Sequence, residues 1–221
     1  MENNISLMLL LSCAILLPFL IASGSCFVKF SIVFVIVRNA LGLQQIPSNM
    51  TLNGVALLLS VFVMMPIAKD AYGHYQREQV ELSNVPALSQ FMDEGLGGYR
   101  AYLQRYADPE LTRFFQRLEQ GRSDPESAGE PAADAAQASL LSLLPAYALS
   151  EVKSAFKIGF YIYLPFVVVD LVISSILLSL GMMMMSPVTI SVPIKLMLFV
   201  AMDGWALLAK GLVMQYLDLP H

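Results

Sequence analysis

Two sets of residues in this chain could do more than pack. Four consecutive methionines, Met182, Met183, Met184 and Met185, stand between Gly181 and Pro187. Four charged side chains, Lys29, Asp170, Asp203 and Lys210, fall within otherwise apolar runs. The usual reagents of catalysis are scarce. Two histidines, His74 and His221, lie outside the apolar runs, and two cysteines, Cys13 and Cys26, form no C-x-x-C pair. A His-rich metal site, a disulfide framework and histidine-based hydrolysis all lack their residues. No cofactor is expected.

Methionine is unbranched, flexible and polarizable, so the run could fill gaps between packed helices. On a helix, however, four consecutive residues face every direction, and no single packed face needs all four. Repeated around an axis, the same thioethers could close a constriction by dewetting and still deform around a passing polypeptide. The two readings stay open on residue type alone. The charged set poses a different problem, because an ionisable group at a bilayer centre costs at least about 2.5–3.5 kcal/mol. Two acids and two bases balance, which favours ion pairs between helices or subunits over a proton relay. Asp203 and Lys210, seven residues apart, fall on one face of a single helix and are too distant to pair directly, so each is expected to meet a partner on another helix.

The elements that carry these residues follow from charge distribution. The chain has 221 residues, 57% apolar and 14% charged, with a net charge of −4. Lys69 to Lys157 holds 22 of the 30 charges, and the other 132 residues hold eight. A soluble domain of this size has too small a core to hide such segments, so they face lipid or other apolar protein. The absence of a basic block argues against nucleic-acid binding.

Four apolar spans are expected, each long enough for the ~20 residues of a crossing helix. They are Asn3 to Val28, Asn39 to Ala68, Ile158 to Leu180 and Ile194 to Leu217. Leu7 to Ala22 reads as a retained membrane segment, because Met1-Glu2-Asn3-Asn4 lacks the basic start of a signal peptide. Gly42 is suited to cap a helix C-terminus and Pro47 to stop it from continuing. Pro18, Pro66, Pro165, Pro187 and Pro193 break the apolar spans, either as ordinary kinks that membrane helices tolerate or as the bends of discontinuous hairpins suited to a funnel, and the two readings stay open. The chain thus divides into an apolar helical pair at 1–73, a polar region at 74–142 and a second apolar pair at 143–221 with the methionine loop at 182–185. Arg38 and Lys195 flank the short connections, which places those loops in the cytoplasm and the long polar loop outside.

Within the polar region, Leu88, Phe91, Met92, Leu96, Tyr99, Tyr102, Leu103 and Tyr106 recur at three- and four-residue spacing, the mark of an amphipathic helix. Asp108-Pro109-Glu110 then supplies an N-cap, a first-position proline and an acid for a second helix carrying Leu111, Phe114, Phe115 and Leu118. Residues 121–138, rich in Pro, Gly, Ala and Glu, read as a flexible linker. Glu151 to Lys157 reads as a juxtamembrane helix with Glu151 and Lys157 on a solvated face. The whole is an all-α membrane protein with an amphipathic extracytoplasmic region, and no internal repeat or strand pattern is visible.

Two stretches are distinctive beyond hydropathy: FVKFSIVFVIVRNALGLQQIPSNMTLNGVALLLSVFVM at 27–64, and LLPAYALSEVKSAFKIGFYIYLPFVVVDLVISSILLSLGMMMMSPVTISVPIKLMLFVAMDGWALLAKGL at 143–212. Together they resemble the FliP/SctR family of type III secretion export-gate subunits, and QQIPSNMTLNG resembles its injectisome branch. The resemblance covers roughly residues 1–73 and 143–217. It implies a homopentamer that joins SctS- and SctT-type subunits above SctU- and SctV-type ones, in the bacterial inner membrane. It also implies passage of needle, rod and unfolded effector proteins through a methionine gasket at Met182, Met183, Met184 and Met185. Lys29, Asp170, Asp203 and Lys210 are then expected as assembly ion pairs. No enzymatic step is expected. The alternative class is a secondary transporter or ion-coupled channel using the buried charges, although such proteins usually show paired repeats. An intramembrane enzyme would need a catalytic dyad such as Ser–His or paired aspartates, and the one pair on offer, Asp170 and Asp203, lacks the flanking motif.

Overall fold

The computed structural model describes residues 22–78, 95–123, 139–182 and 184–217. Helices α1 (Phe27–Ala40), α2 (Asn49–Glu78), α3 (Gly97–Tyr106), α4 (Pro109–Ser123), α5 (Leu140–Ser179), α6 (Pro187–Ala201) and α7 (Gly204–Met214) follow in chain order, and no strand occurs among the described residues. The chain forms two compact units, Met1–Val28 with Met64–Val152, and Lys29–Val63 with Lys153–His221; α2 and α5 each contribute to both.

In the second unit, α1 buries Phe30, Val33, Phe34 and Val37, followed by Leu41. That three-and-four spacing is a helix face. The helix stops at Gly42, which has φ +79. Gly42 N–H donates to Asn39 O at 3.0 Å and Leu43 N–H to Arg38 O at 3.2 Å, the paired bonds of a Schellman cap. Helix α2 begins after Ser48, whose Oγ accepts the Thr51 N–H at 3.2 Å. This satisfies one of the backbone donors that a helix start leaves over.

Apolar length can be set against the four-span expectation for three of the spans. The first span falls almost wholly outside the described residues, and its end does not run on into Phe27, because residues 24–26 are turns and bends. Among the described residues, two helices are long and apolar enough to cross a membrane, Asn49–His74 and Leu140–Ser179, with α6 and α7 a third if they count as one span. Helix α5 has 40 residues, about 60 Å at 1.5 Å per residue. The expected span Ile158 to Leu180 is therefore only its C-terminal part, and Glu151 to Lys157 belongs to the same helix.

Of the two readings of the prolines, the described ones fit tolerated positions within helices better than breaks. Helices run through Pro66, Pro165 and Pro193, and Pro187 opens α6 at its first turn, where its missing N–H costs nothing. Pro18 lies outside the described residues. The sharp break comes instead between α6 and α7, which meet at 60°. There Asp203 has φ +50. Gly204 beside it leaves room for the Phe199 ring, which any Cβ would strike.

In the first unit, Asp108 caps α4 as its sequence predicts: Oδ1 accepts the Glu110 N–H at 3.0 Å, and Pro109 holds the first helical position. The same residue fastens the α3–α4 corner to α5, because its backbone N–H donates to Ser150 Oγ at 2.7 Å. Ser139 caps α5 by accepting the Ser142 N–H at 3.2 Å and donates its hydroxyl to Glu119 at 2.7 Å. The upstream part of the expected α3 helix, Leu88 to Met92, lies outside the described residues. So does most of the expected 121–138 linker, of which 121–123 form the end of α4.

Candidate functional site

The methionine loop is set by the ends of two helices. At the C-terminus of α5, Gly181 N–H donates to Leu178 O at 3.1 Å and Met182 N–H to Leu177 O at 3.0 Å, a second Schellman cap. Its glycine has φ +73. The loop turns once more through Met185 N–H to Met182 O at 3.3 Å, and Pro187 then starts α6. Met182 is 41% exposed, Met184 fully exposed and Met185 44% exposed. Met183 lies outside the described residues. Within this unit the described thioethers therefore face outward from a short, doubly anchored turn.

One buried ammonium ties three helices of this unit. Lys195 on α6, 4% exposed, donates to Asp170 Oδ2 on α5 at 2.5 Å and to the carbonyl of Ala40 at 3.2 Å. Ala40 is the last residue of α1, so the cation also sits where the helix dipole favours positive charge. Asp170 Oδ1 is buried and has no hydrogen-bond partner in the structure. From the sequence Lys195 serves as a marker of orientation, and only its partner Asp170 belongs to the charged set. The signal that points to the pair is a lysine within the apolar stretch Pro187–Ala201, with a lone acid in the preceding apolar run.

The other charges have different surroundings. Lys29 is buried, with its ammonium 4.6 Å from the centroid of the Tyr216 ring, and Phe30 meets the same ring edge-on at 5.8 Å. Asp203 and Lys210 are exposed, and among the described residues neither forms an ion pair. They do not share one continuous helix face as expected, because Asp203 stands at the break and only Lys210 lies within α7. Arg38, also read only as a topology marker, donates Nη1 to Pro47 O at 3.1 Å and to Asn49 Oδ1 at 2.6 Å, closing the α1–α2 turn. An aromatic chain supports the α6–α7 break: Trp205 meets Phe199 at 5.3 Å and Phe34 at 6.1 Å.

At the end of the first unit, Glu151 is 1% exposed, so the solvated face expected there is wrong for this residue, whereas Lys153 and Lys157, which belong to the second unit, are exposed. Helix periodicity explains it: Tyr147, Glu151 and Ala155 lie one turn apart and all turn inward. Tyr102 and Tyr147 share a buried hydroxyl hydrogen bond of 2.6 Å, and Tyr99 donates to Gly24 O at 2.9 Å. Burial pushes the Tyr99 phenol up to about 12 and raises Tyr102 as well, with Cys26 and Glu151 adding to the latter. Among the described residues no three His, Cys, Asp or Glu side chains gather as a metal site.

Comparison with known proteins covers nearly the whole chain. The FliP family model matches residues 9–212. The surface presentation of antigens protein SpaP of Salmonella typhimurium is 64% identical over 222 residues, 99% of each chain. SpaP of Shigella flexneri is 59% identical over the full length of both. The Yop proteins translocation protein R of Yersinia pestis is 45% identical over 98% of both.

Proposed function

The chain belongs to the FliP family, in its injectisome branch, and is a membrane-embedded component of type III secretion; on that premise we propose that it is the pore-forming and gating subunit of the export apparatus. In this reading copies of the chain form a homopentamer in the bacterial inner membrane. SctS- and SctT-type subunits complete the channel, and SctU- and SctV-type subunits lie on its cytoplasmic side. Needle, rod and unfolded effector proteins pass through it. The long polar region lies on the periplasmic side. The subunit does no covalent chemistry, and the energy for transport comes from other components.

The observation that carries this reading is the methionine loop. Its ends are fixed by the Gly181 cap and by Pro187, while Met182, Met184 and Met185 stand at least two-fifths exposed. A fixed loop with free thioether tips suits a gasket: the backbone sets the radius, and the side chains yield to cargo. Each unbranched side chain rotates about three bonds, so it can seal against chains of varied shape without a specific contact. Dewetting between facing thioethers would stop ions when no cargo is present.

The test is joint replacement of Met182, Met183, Met184 and Met185 by alanine in cells carrying the complete apparatus. Small-ion leak should rise while secretion of effector proteins continues. Unchanged leak with normal assembly would remove the gasket.

A further inference from the structure

An open apolar groove of about 360 Å³ runs along α7 within the second unit. Leu207, Gly211 and Gln215, each one turn from the next, line it on α7, and Ile158 and Ile162 line it on α5. Phe199 of α6 stands against Gly204 at one end. Phe166 of α5 meets that same Phe199 ring at 6.4 Å. Helices α5 and α7 therefore run antiparallel across the groove, and Ile158 shares the other end with Gln215. The two ends differ in charge. Asp203, exposed, precedes Gly204 at the first. At the second, Lys153 and Lys157 are exposed one turn apart just before Ile158. The buried ammonium of Lys29 lies there too, 4.6 Å from the ring centroid of Tyr216, the neighbour of Gln215. Lys210, exposed past the midpoint of α7, adds a further cation.

Shape and charge together select the occupant. The volume lies in the range of about 300–1,000 Å³ that small-molecule sites occupy. A partner helix is about 10–12 Å across, and close helix approach in a membrane uses small residues four apart. Here the space before Gly204 is already taken, because a Cβ there would lie 2.4 Å from the Phe199 ring. A Cβ on Gly211 would meet nothing within 4 Å. One open glycine admits a hydrocarbon chain, not a helix backbone. Basic pockets beside membrane helices hold anionic lipid headgroups, and the cations gather at one end of this groove. We propose that an acyl chain of an anionic phospholipid lies in the groove, its tail toward Gly204 and its phosphate at the Gln215 end. There Lys157 pairs with the phosphate, and the Gln215 side-chain amide donates to it. The inference needs only a membrane-embedded chain and does not depend on the gate.

The experiment uses the full chain in phosphatidylcholine vesicles. Trp205 is the single tryptophan of the chain, and its ring meets Phe199 of the groove at 5.3 Å, so its emission reports a brominated acyl chain lying there. Brominated phosphatidylglycerol should reach half-maximal quenching at a mole fraction roughly fivefold below that of brominated phosphatidylcholine, the increment of one surface lysine. In Lys153→Gln/Lys157→Gln the two lipids should become equal. Gly211→Leu fills the groove from its open side and should abolish the early quenching, with helix content unchanged by circular dichroism. Equal quenching by the two lipids in the wild type overturns the proposal. Wild-type quenching in Gly211→Leu places the lipid elsewhere around Trp205 and overturns it as well. A preference present in the isolated chain but lost in the complete apparatus assigns the groove to a neighbouring protein and overturns lipid as its occupant. The ion-leak test of the methionine loop is untouched by any of these results, so failure here and failure of the gate are distinguishable.

Discussion

Replacing Lys195 with methionine leaves the Asp170 carboxylate unpaired in a site that is only partly open to solvent. Lys195 is 5% exposed and Asp170 43% exposed at their side chains. Breaking a fully buried pair costs about 3–5 kcal/mol, most of it from the charge left behind. Asp170 is partly open, which lowers the figure to about 2–3 kcal/mol by the smaller penalty of a screened site. The carbonyl of Ala40 also loses its donor, a term of about 1 kcal/mol. A total near 3 kcal/mol corresponds to a fall in Tm of about 6–12 °C for a chain of this length. The second substitution should then restore part of the loss: Lys195→Met/Asp170→Leu leaves no unpaired charge, so its Tm should lie above that of Lys195→Met alone. Thermal unfolding in detergent, followed by tryptophan emission from Trp205, measures both. If the double variant loses the sum of the two single losses, the residues are not coupled, and the three-helix tie described for Lys195 is wrong.

Other substitutions test the local geometry. Gly181→Ala places a Cβ at φ +73, and should cost about 1–2 kcal/mol, the ordinary penalty of left-handed backbone, read as a lower Tm. Asp108→Ala removes the α4 cap and should cost about 1 kcal/mol; limited proteolysis should then cut first near the α3–α4 corner. Alkaline pH should weaken the first unit. The Tyr99 phenol titrates at about 12 in the folded protein against 10 when exposed. Its contribution is complete below pH 10 and disappears as pH rises from 10 toward 12, because the unfolded chain ionises first. Tyr99→Phe should remove that part of the alkaline loss, as measured by denaturant unfolding at stepped pH.

Periodicity and composition carried the helical class, the cap at Asp108 and the turn at Gly42, because each depends on residues within four positions of one another. The cap needs only Asp108 and the Glu110 N–H. The Gly42 turn needs only a residue that tolerates φ +79. The same local information places Gly181 at the start of the methionine loop. Features that depend on what lies across the fold were not available in this way. Hydropathy marks Lys29, Asp170, Lys195, Asp203 and Lys210 alike as charges in apolar runs, yet their exposures range from 4% for Lys29 to open for Lys210. The difference comes from neighbours 25 or more residues away, such as Asp170 for Lys195 and Tyr216 for Lys29.

The prolines and Asp203 carry the argument one step further. A proline in an apolar helix loses one backbone hydrogen bond, but in a packed or lipid setting the chain has no competing partner for the remaining groups and stays helical. Pro66, Pro165 and Pro193 therefore leave their helices intact. A break needs a positive reason, and at Met202–Gly204 there are two. Asp203 adopts φ +50, a conformation its short polar side chain tolerates. Gly204 lets the Phe199 ring lie against the backbone, where Trp205 meets the ring edge-on. The break is thus fixed by packing on its inner side and left open on its outer side, where Asp203 is exposed. The 60° angle is held by an aromatic contact that only glycine permits at 204, so the geometry of this bend depends more on Gly204 than on any proline in the chain.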